Sequence, residues 1–285
     1  MGLFSGLESL GLGKMQEEAV FEKEAPASEK DGAVAAPQKS EIDVLFDKTF
    51  KCPVCNHEFT SKMVRAGKNK LVKQELDLRA IYDMADAVKY DPVVCPKCGF
   101  AALNRFFKPL PLAQEKLIRE KISNNFKGIE QPEGVYSYDD AILRYKLVLA
   151  STVVKCGKNS EKAYVCLKMG WAIRGKAESL PEDTPNRDAV LKELKANELE
   201  CLQNAYDGFT AAFSQESFPM CGMDETTVTY LSAELARRIG KLDEAARLAS
   251  AIITSRTAGE RIKDRAREIK EMIKKQKEQQ AAAKA

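Results

Sequence analysis

KCPVCNHEFT, residues 51–60, is answered by VVCPKCGFAA, residues 93–102. Each stretch holds a Cys-Pro-x-Cys pair, and 39 residues lie between the two pairs. Two residues between thiols let a tight turn aim both sulfurs at one ion, and two such turns complete a tetrahedral set of four. Pro53 and Pro96 fix φ near the value such a turn needs. Asn56 follows the first pair and Gly99 the second. These residue types most readily take left-handed backbone geometry, which turns N–H groups toward a thiolate. The pattern predicts one four-sulfur site made by Cys52, Cys55, Cys95 and Cys98.

Four soft thiolates point to a single structural Zn2+, with iron of the rubredoxin type as the alternative on the same ligands. A shell filled by sulfur leaves no position for a reacting water, so the ion is expected to hold a fold and not to catalyse. His57 is the only histidine. It is expected to turn outward, since four sulfurs suffice. Cys156, Cys166, Cys201 and Cys221 have no pair spacing and read as buried small hydrophobes.

Working outward, the chain has 285 residues, of which 44% are apolar and 31% charged, enough for a sizeable core under a soluble surface. It contains no run of about 18 apolar residues, the length that spans a bilayer. The opening residues lack the basic start of a secretory signal and run into Glu17 and Glu18. A cytoplasmic location is therefore expected, where thiols stay reduced and paired cysteines mean metal more often than disulfide.

The net charge of +3 hides a division. Residues 1–47 carry ten acidic and four basic side chains, whereas residues 48–110 carry twelve basic and six acidic. Leu3, Phe4, Leu7 and Leu10 fall on one possible helical face, so residues 1–15 are a candidate for peripheral membrane contact or for covering an apolar patch. Residues 16–41 have the composition of a disordered linker. Between the cysteine pairs, MVRAGKNKLVKQ sets a Gly-Lys-Asn turn between two half-apolar runs and suggests a hairpin.

From Leu112 onward apolar residues recur at helical spacing, and glycines and prolines punctuate them into six or seven helices. Ser137-Tyr138-Asp139-Asp140 looks like a helix start. In residues 230–253 one helix ends at Gly240 and the next begins at once. Small Ala233 and Ala245 allow close packing there, and Leu231, Leu235, Ile239, Leu242, Leu248 and Ile252 form one stripe. That Gly-Lys-Leu-Asp-Glu-Ala turn looks like the turn of a tetratricopeptide repeat. Tyr164, Leu167 and Trp171 follow the spacing of that repeat's first helix, with Lys168 where a small residue is expected. A last helix buries Ile262, Ile269 and Ile273 before a charged end.

Taken in order, KCPVCNHEFTSKMVRAGK, YDPVVCPKCGFAA, AILRYKLVLA with AYVCLKMGWAIR, and MDETTVTYLSAELARRIG resemble an uncharacterised bacterial family, domain of unknown function 2225. The resemblance runs from about Phe50 to Ile273. It implies a zinc-binding module followed by tetratricopeptide-like helices, supports the same four cysteine ligands, and supplies no activity.

The expected fold is mainly α: a small β-containing zinc-ribbon-like module, then a tetratricopeptide-like array of antiparallel helical hairpins. The expected division is residues 1–47 as peptide and acidic disordered linker, 48–110 as the zinc-ribbon-like four-cysteine module, 111–258 as the helical domain and 259–285 as a charged helix and tail. No phosphate-binding loop appears, and a Ser-His-Asp arrangement would have to recruit His57, so no enzyme is expected. The expected function is protein–protein interaction, with a peptide or partner helix in a groove lined by Tyr145, Trp171, Tyr206 and Tyr230. The alternative is a nucleic-acid-associated factor whose Lys62, Arg65, Lys68, Lys70 and Lys73 contact phosphates.

Overall fold

Three two-stranded antiparallel sheets come first in the computed structural model, and seven α-helices follow among the described residues, which run from 40 to 282. The apolar opening peptide and nearly all of the predicted linker lie outside the described residues. A turn of 3-10 helix at Glu41–Val44 and strand β1 (Leu45–Lys51) fall inside the stretch 1–47 read as peptide and linker, wholly and in part respectively.

β1 pairs with β2 (Glu58–Val64), and the turn joining them is the first cysteine pair. β5 (Pro92–Val94) pairs with β6 (Ala101–Leu103) around the second. Between them β3 (Leu71–Gln74) pairs with β4 (Ala80–Tyr82). The hairpin expected across residues 63–74 does not form, because β2 and β3 take different partners. In the β1–β2 register Phe50 lies opposite Phe59, and both are buried. All four residues of β3 are exposed and offer β2 nothing to bury.

The helices are α1 (Leu112–Lys121), α2 (Tyr138–Val154), α3 (Asn159–Glu178), α4 (Arg187–Gln215), α5 (Glu225–Arg238), α6 (Leu242–Thr254) and α7 (Glu260–Ala282). Ser137 caps α2 through a reciprocal pair of bonds with Asp140, as its position before two acidic residues suggests. Gly240 takes a φ of 85°, and Lys241 N–H reaches back to the Ala236 carbonyl at 2.8 Å, so α5 stops and α6 folds back against it. Leu231, Leu235, Leu242 and Ile252 of the predicted stripe are buried, as are Ile269 and Ile273 of α7.

At the end of α2 the left-handed residue is Cys156, with a φ of 53°, and Gly157 N–H bonds the Thr152 carbonyl. Cys156 is therefore exposed rather than buried, because the reversal that ends the helix carries it outward. Cys166 and Cys201 are buried and Cys221 is half-buried.

Successive residues of the β5–β6 hairpin serve two cores. Val93, Cys95, Phe100 and Ala102 pack with Phe50, Phe59 and Ile118 around the cysteines. Val94, Ala101 and Leu103 pack with Tyr145, Val148 and the large helical core. The period of two in a strand makes this possible, since neighbours point to opposite faces. Ala101 N–H also donates to the buried Ser151 hydroxyl of α2 at 3.1 Å.

Candidate metal centre

Each cysteine pair sits in the same backbone loop. In the first, Asn56 N–H bonds the Cys52 carbonyl at 2.9 Å and Cys52 N–H bonds the His57 carbonyl at 2.9 Å. In the second, Gly99 N–H bonds the Cys95 carbonyl at 3.0 Å and Cys95 N–H bonds the Phe100 carbonyl at 2.9 Å. Asn56 has a φ of 57° and Gly99 of 73°, the left-handed geometry expected from their residue types. Glycine at the second loop has a further reason. A Cβ on Gly99 would lie 2.6 Å from the ring of Phe126, which covers that loop.

The two loops face each other. Cys52 and Cys98 sulfurs are 3.5 Å apart, Cys55 and Cys95 sulfurs 3.6 Å, and all four lie within 4.8 Å of one another. A tetrahedron of thiolates about 2.3 Å from a central ion has edges of about 3.8 Å, so the donor set and spacing fit a four-coordinate metal. Cys52, Cys95 and Cys98 are buried, Cys55 is half-buried, and Arg119 of α1 donates to the Val54 carbonyl within the first loop. The neighbouring sulfurs of Cys52 and Cys98 lower the Cys95 thiol from its ordinary range, and the sulfurs of Cys95 and Cys98 raise that of Cys52. Four sulfurs this close favour shared protons or a cation between them. His57 is outside the group and stacks parallel to Phe59, with ring centres 6.4 Å apart.

The expected partner groove is not formed by its four aromatics. Tyr145, Trp171, Tyr206 and Tyr230 are all buried. Three of them tie the strand region to the helices: Tyr145 OH donates to the Val88 carbonyl, Tyr230 OH to the Leu76 carbonyl, and Trp171 Nε1 to Asp77. Aromatics at helical spacing are core here because the strands cover the face that a bare helical array would leave open.

The basic run divides in two. Lys62 pairs with Asp47 at 2.9 Å, and the Arg65 guanidinium bonds the Leu45 carbonyl and lies 5.2 Å from the Phe46 ring centre. Lys68, Lys70 and Lys73 lie at the surface, and none forms an ion pair among the described residues.

Nothing in the sequence pattern announces a buried charge cluster at the turn between β3 and β4. Asp77, fully buried, receives Arg174 at 2.6 Å and the Trp171 indole at 3.1 Å. Arg174 also meets Glu75 and Glu198, and the buried Arg79 meets Glu178 and Asp86. Burial works against the Asp77 carboxylate, but Arg174 and Arg238 outweigh it and hold its pKa below the ordinary range. No spacing rule joins residues about a hundred positions apart, so only the fold could show this cluster.

Residues 45–273 match the family described as uncharacterized protein conserved in bacteria (DUF2225), and the chain belongs to that family. It is similar to an uncharacterized protein of Borreliella burgdorferi, with 25% identity over 168 residues. The match covers 52% of this chain and 57% of the relative, so the chain spans little more than half of that relative's length. No solved structure matches the chain.

Proposed function

We propose that this member of the DUF2225 family is a non-catalytic, cytoplasmic zinc protein that works by holding another protein, with the ion as a structural cross-link. What supports the metal reading is the sulfur cage: four cysteines from two matched loops, three of them buried, at tetrahedral spacing. Zn2+ suits four soft ligands and needs no further one. With all four thiolates bound, the ion joins the β1–β2 hairpin to the β5–β6 hairpin.

The partner surface is the β3 edge rather than a helical groove. Leu71 is 58% exposed and Val72 is 65% exposed, on a strand paired on one side alone among the described residues. Lys68, Lys70 and Lys73 flank them. An open edge with apolar side chains between ammonium groups suits an extended segment that alternates apolar and acidic residues and adds as a third strand. No helix among the described residues is long and apolar enough to cross a membrane.

Crosslinking mass spectrometry in cells tests this reading. A protein crosslinked to Lys68, Lys70 or Lys73, and lost in the double variant Leu71→Asp, Val72→Asp, supports it. Crosslinks that the double variant leaves unchanged refute it. The same lysines give the nucleic-acid reading its one favourable observation, and salt separates the two. Phosphate contacts predict RNA or DNA affinity that falls steeply between low and physiological ionic strength.

A further inference from the structure

A cavity of about 470 Å³ lies between the strands and the helices, lined by side chains from β2, β4, α3 and α5, among them Met63, Ala80, Leu167, Trp171 and Leu231. Its size falls within the range of small-molecule sites, about 300–1,000 Å³. Asp91 and Lys168 supply the charged groups of its lining, and they pair at 2.5 Å, with the ammonium 4.9 Å from the ring centre of Tyr164. Burial opposes the charge on Lys168, yet Asp91 keeps its pKa above the ordinary lysine range.

One wall is held under strain. Leu78 lines the cavity with a φ of 71°, a region costly for a bulky residue. The neighbours on either side fix it there: Asp77 through Arg174 and Trp171, Arg79 through Glu178 and Asp86. A strained residue clamped by buried ion pairs next to a cavity is the arrangement expected of a preorganised binding wall.

We infer that this cavity binds a small, uncharged, largely apolar molecule carrying one amide-like hydrogen-bonding group. The chemistry of the lining sets that class. The Asp91–Lys168 pair is neutral as a unit. A carboxylate or an ammonium brought in would be an extra charge among apolar walls, where no opposite charge is free to meet it. The ammonium has three donors and the carboxylate several acceptor positions, so each retains capacity after pairing with the other. A carboxamide edge satisfies both, accepting from Lys168 and donating to Asp91, while its apolar body replaces water against the partly exposed Met63, Leu78, Ala80 and Tyr82.

Three probes of one shape test the assignment on the full zinc-loaded chain: 2-naphthamide, 2-naphthoate and protonated 2-naphthylmethylamine, titrated by saturation-transfer NMR. The amide is expected to saturate, with each charged probe at least about tenfold weaker, since even 1.4 kcal/mol of unpaired burial is tenfold. Ala80→Leu and Ala87→Leu, each projecting a larger side chain from the lining, are expected to abolish binding. Zinc content and circular dichroism establish that a variant is folded before its binding is read. A charged probe binding as tightly as the amide, the absence of saturation by the amide, or undiminished binding by both folded variants would overturn the assignment.

Discussion

Gly99→Ala probes the closeness of packing over the second cysteine loop, and the first loop supplies its control. An L-residue with left-handed φ costs about 1–2 kcal/mol relative to glycine. At Gly99 the new methyl also starts 2.6 Å from the Phe126 ring, which must move off the loop. Overpacking of this kind costs about 1–3 kcal/mol, for a sum of about 2–5 kcal/mol. Asn56 has nearly the same backbone geometry but is already an L-residue, so Asn56→Ala loses only asparagine's tolerance of that geometry, about 1 kcal/mol or less. Because ligand folding and metal capture are coupled, both losses appear in metal affinity. Competition against a chromogenic chelator should find Gly99→Ala weakened by about thirty- to a few thousand-fold and Asn56→Ala by less than about tenfold. Adding Phe126→Ala to Gly99→Ala should recover the overpacking part, a coupling read by a double-mutant cycle. Equal losses for the two single variants, or no coupling to Phe126, would refute the reasoning.

Stripping the ion with a strong chelator should unfold the β1–β2 and β5–β6 hairpins and alter the emission of Trp171, the sole tryptophan, because β5 and β6 also pack on the helical core that contains it. Unchanged emission in fully metal-free protein would show that the two cores are independent. Asp77→Asn takes from Arg174 the one fully buried carboxylate of the three it meets, with Glu75 and Glu198 remaining, and should cost about 1.5–3 kcal/mol, seen as a fall in Tm of about 5 °C. The Asp77 carboxylate has a lowered folded pKa, so its stabilisation is complete above the ordinary aspartate range and disappears as pH falls through the lower folded value. The acid limb of a stability–pH curve should therefore flatten in Asp77→Asn. Gly240→Ala meets open space and should cost only the left-handed term, about 1–2 kcal/mol, in thermal unfolding.

Local chemistry was legible from the sequence wherever one residue decides the backbone. Asn56 and Gly99 announced the two cysteine loops, Gly240 the reversal between α5 and α6, and Ser137 the start of α2. Apolar spacing likewise located the buried stripes of α5, α6 and α7. Partner choice was not legible. The two half-apolar runs in residues 63–74 suggest strands but not that β2 prefers β1, since that choice follows from Phe50 meeting Phe59. Tyr145 and Tyr230 looked available to a ligand because nothing local reveals that the strand region lies over them. Nothing local marks Arg79 as buried against Glu178, a residue far along the chain. Cys156, read as a buried small hydrophobe, took the exposed left-handed position that ends α2.

The two-faced β5–β6 hairpin also bears on the order in which the molecule is made. It leaves the ribosome before α2, so while the cysteine side already has β1 and β2 for company, the side bearing Val94, Ala101 and Leu103 has no cover until residue 154 is synthesised. An ion gripped at that stage would keep the nascent hairpin in shape and present a finished template on which the first long helix condenses. Cells starved of the ion would then accumulate the defect during translation, in chains still being made, more than in protein already mature.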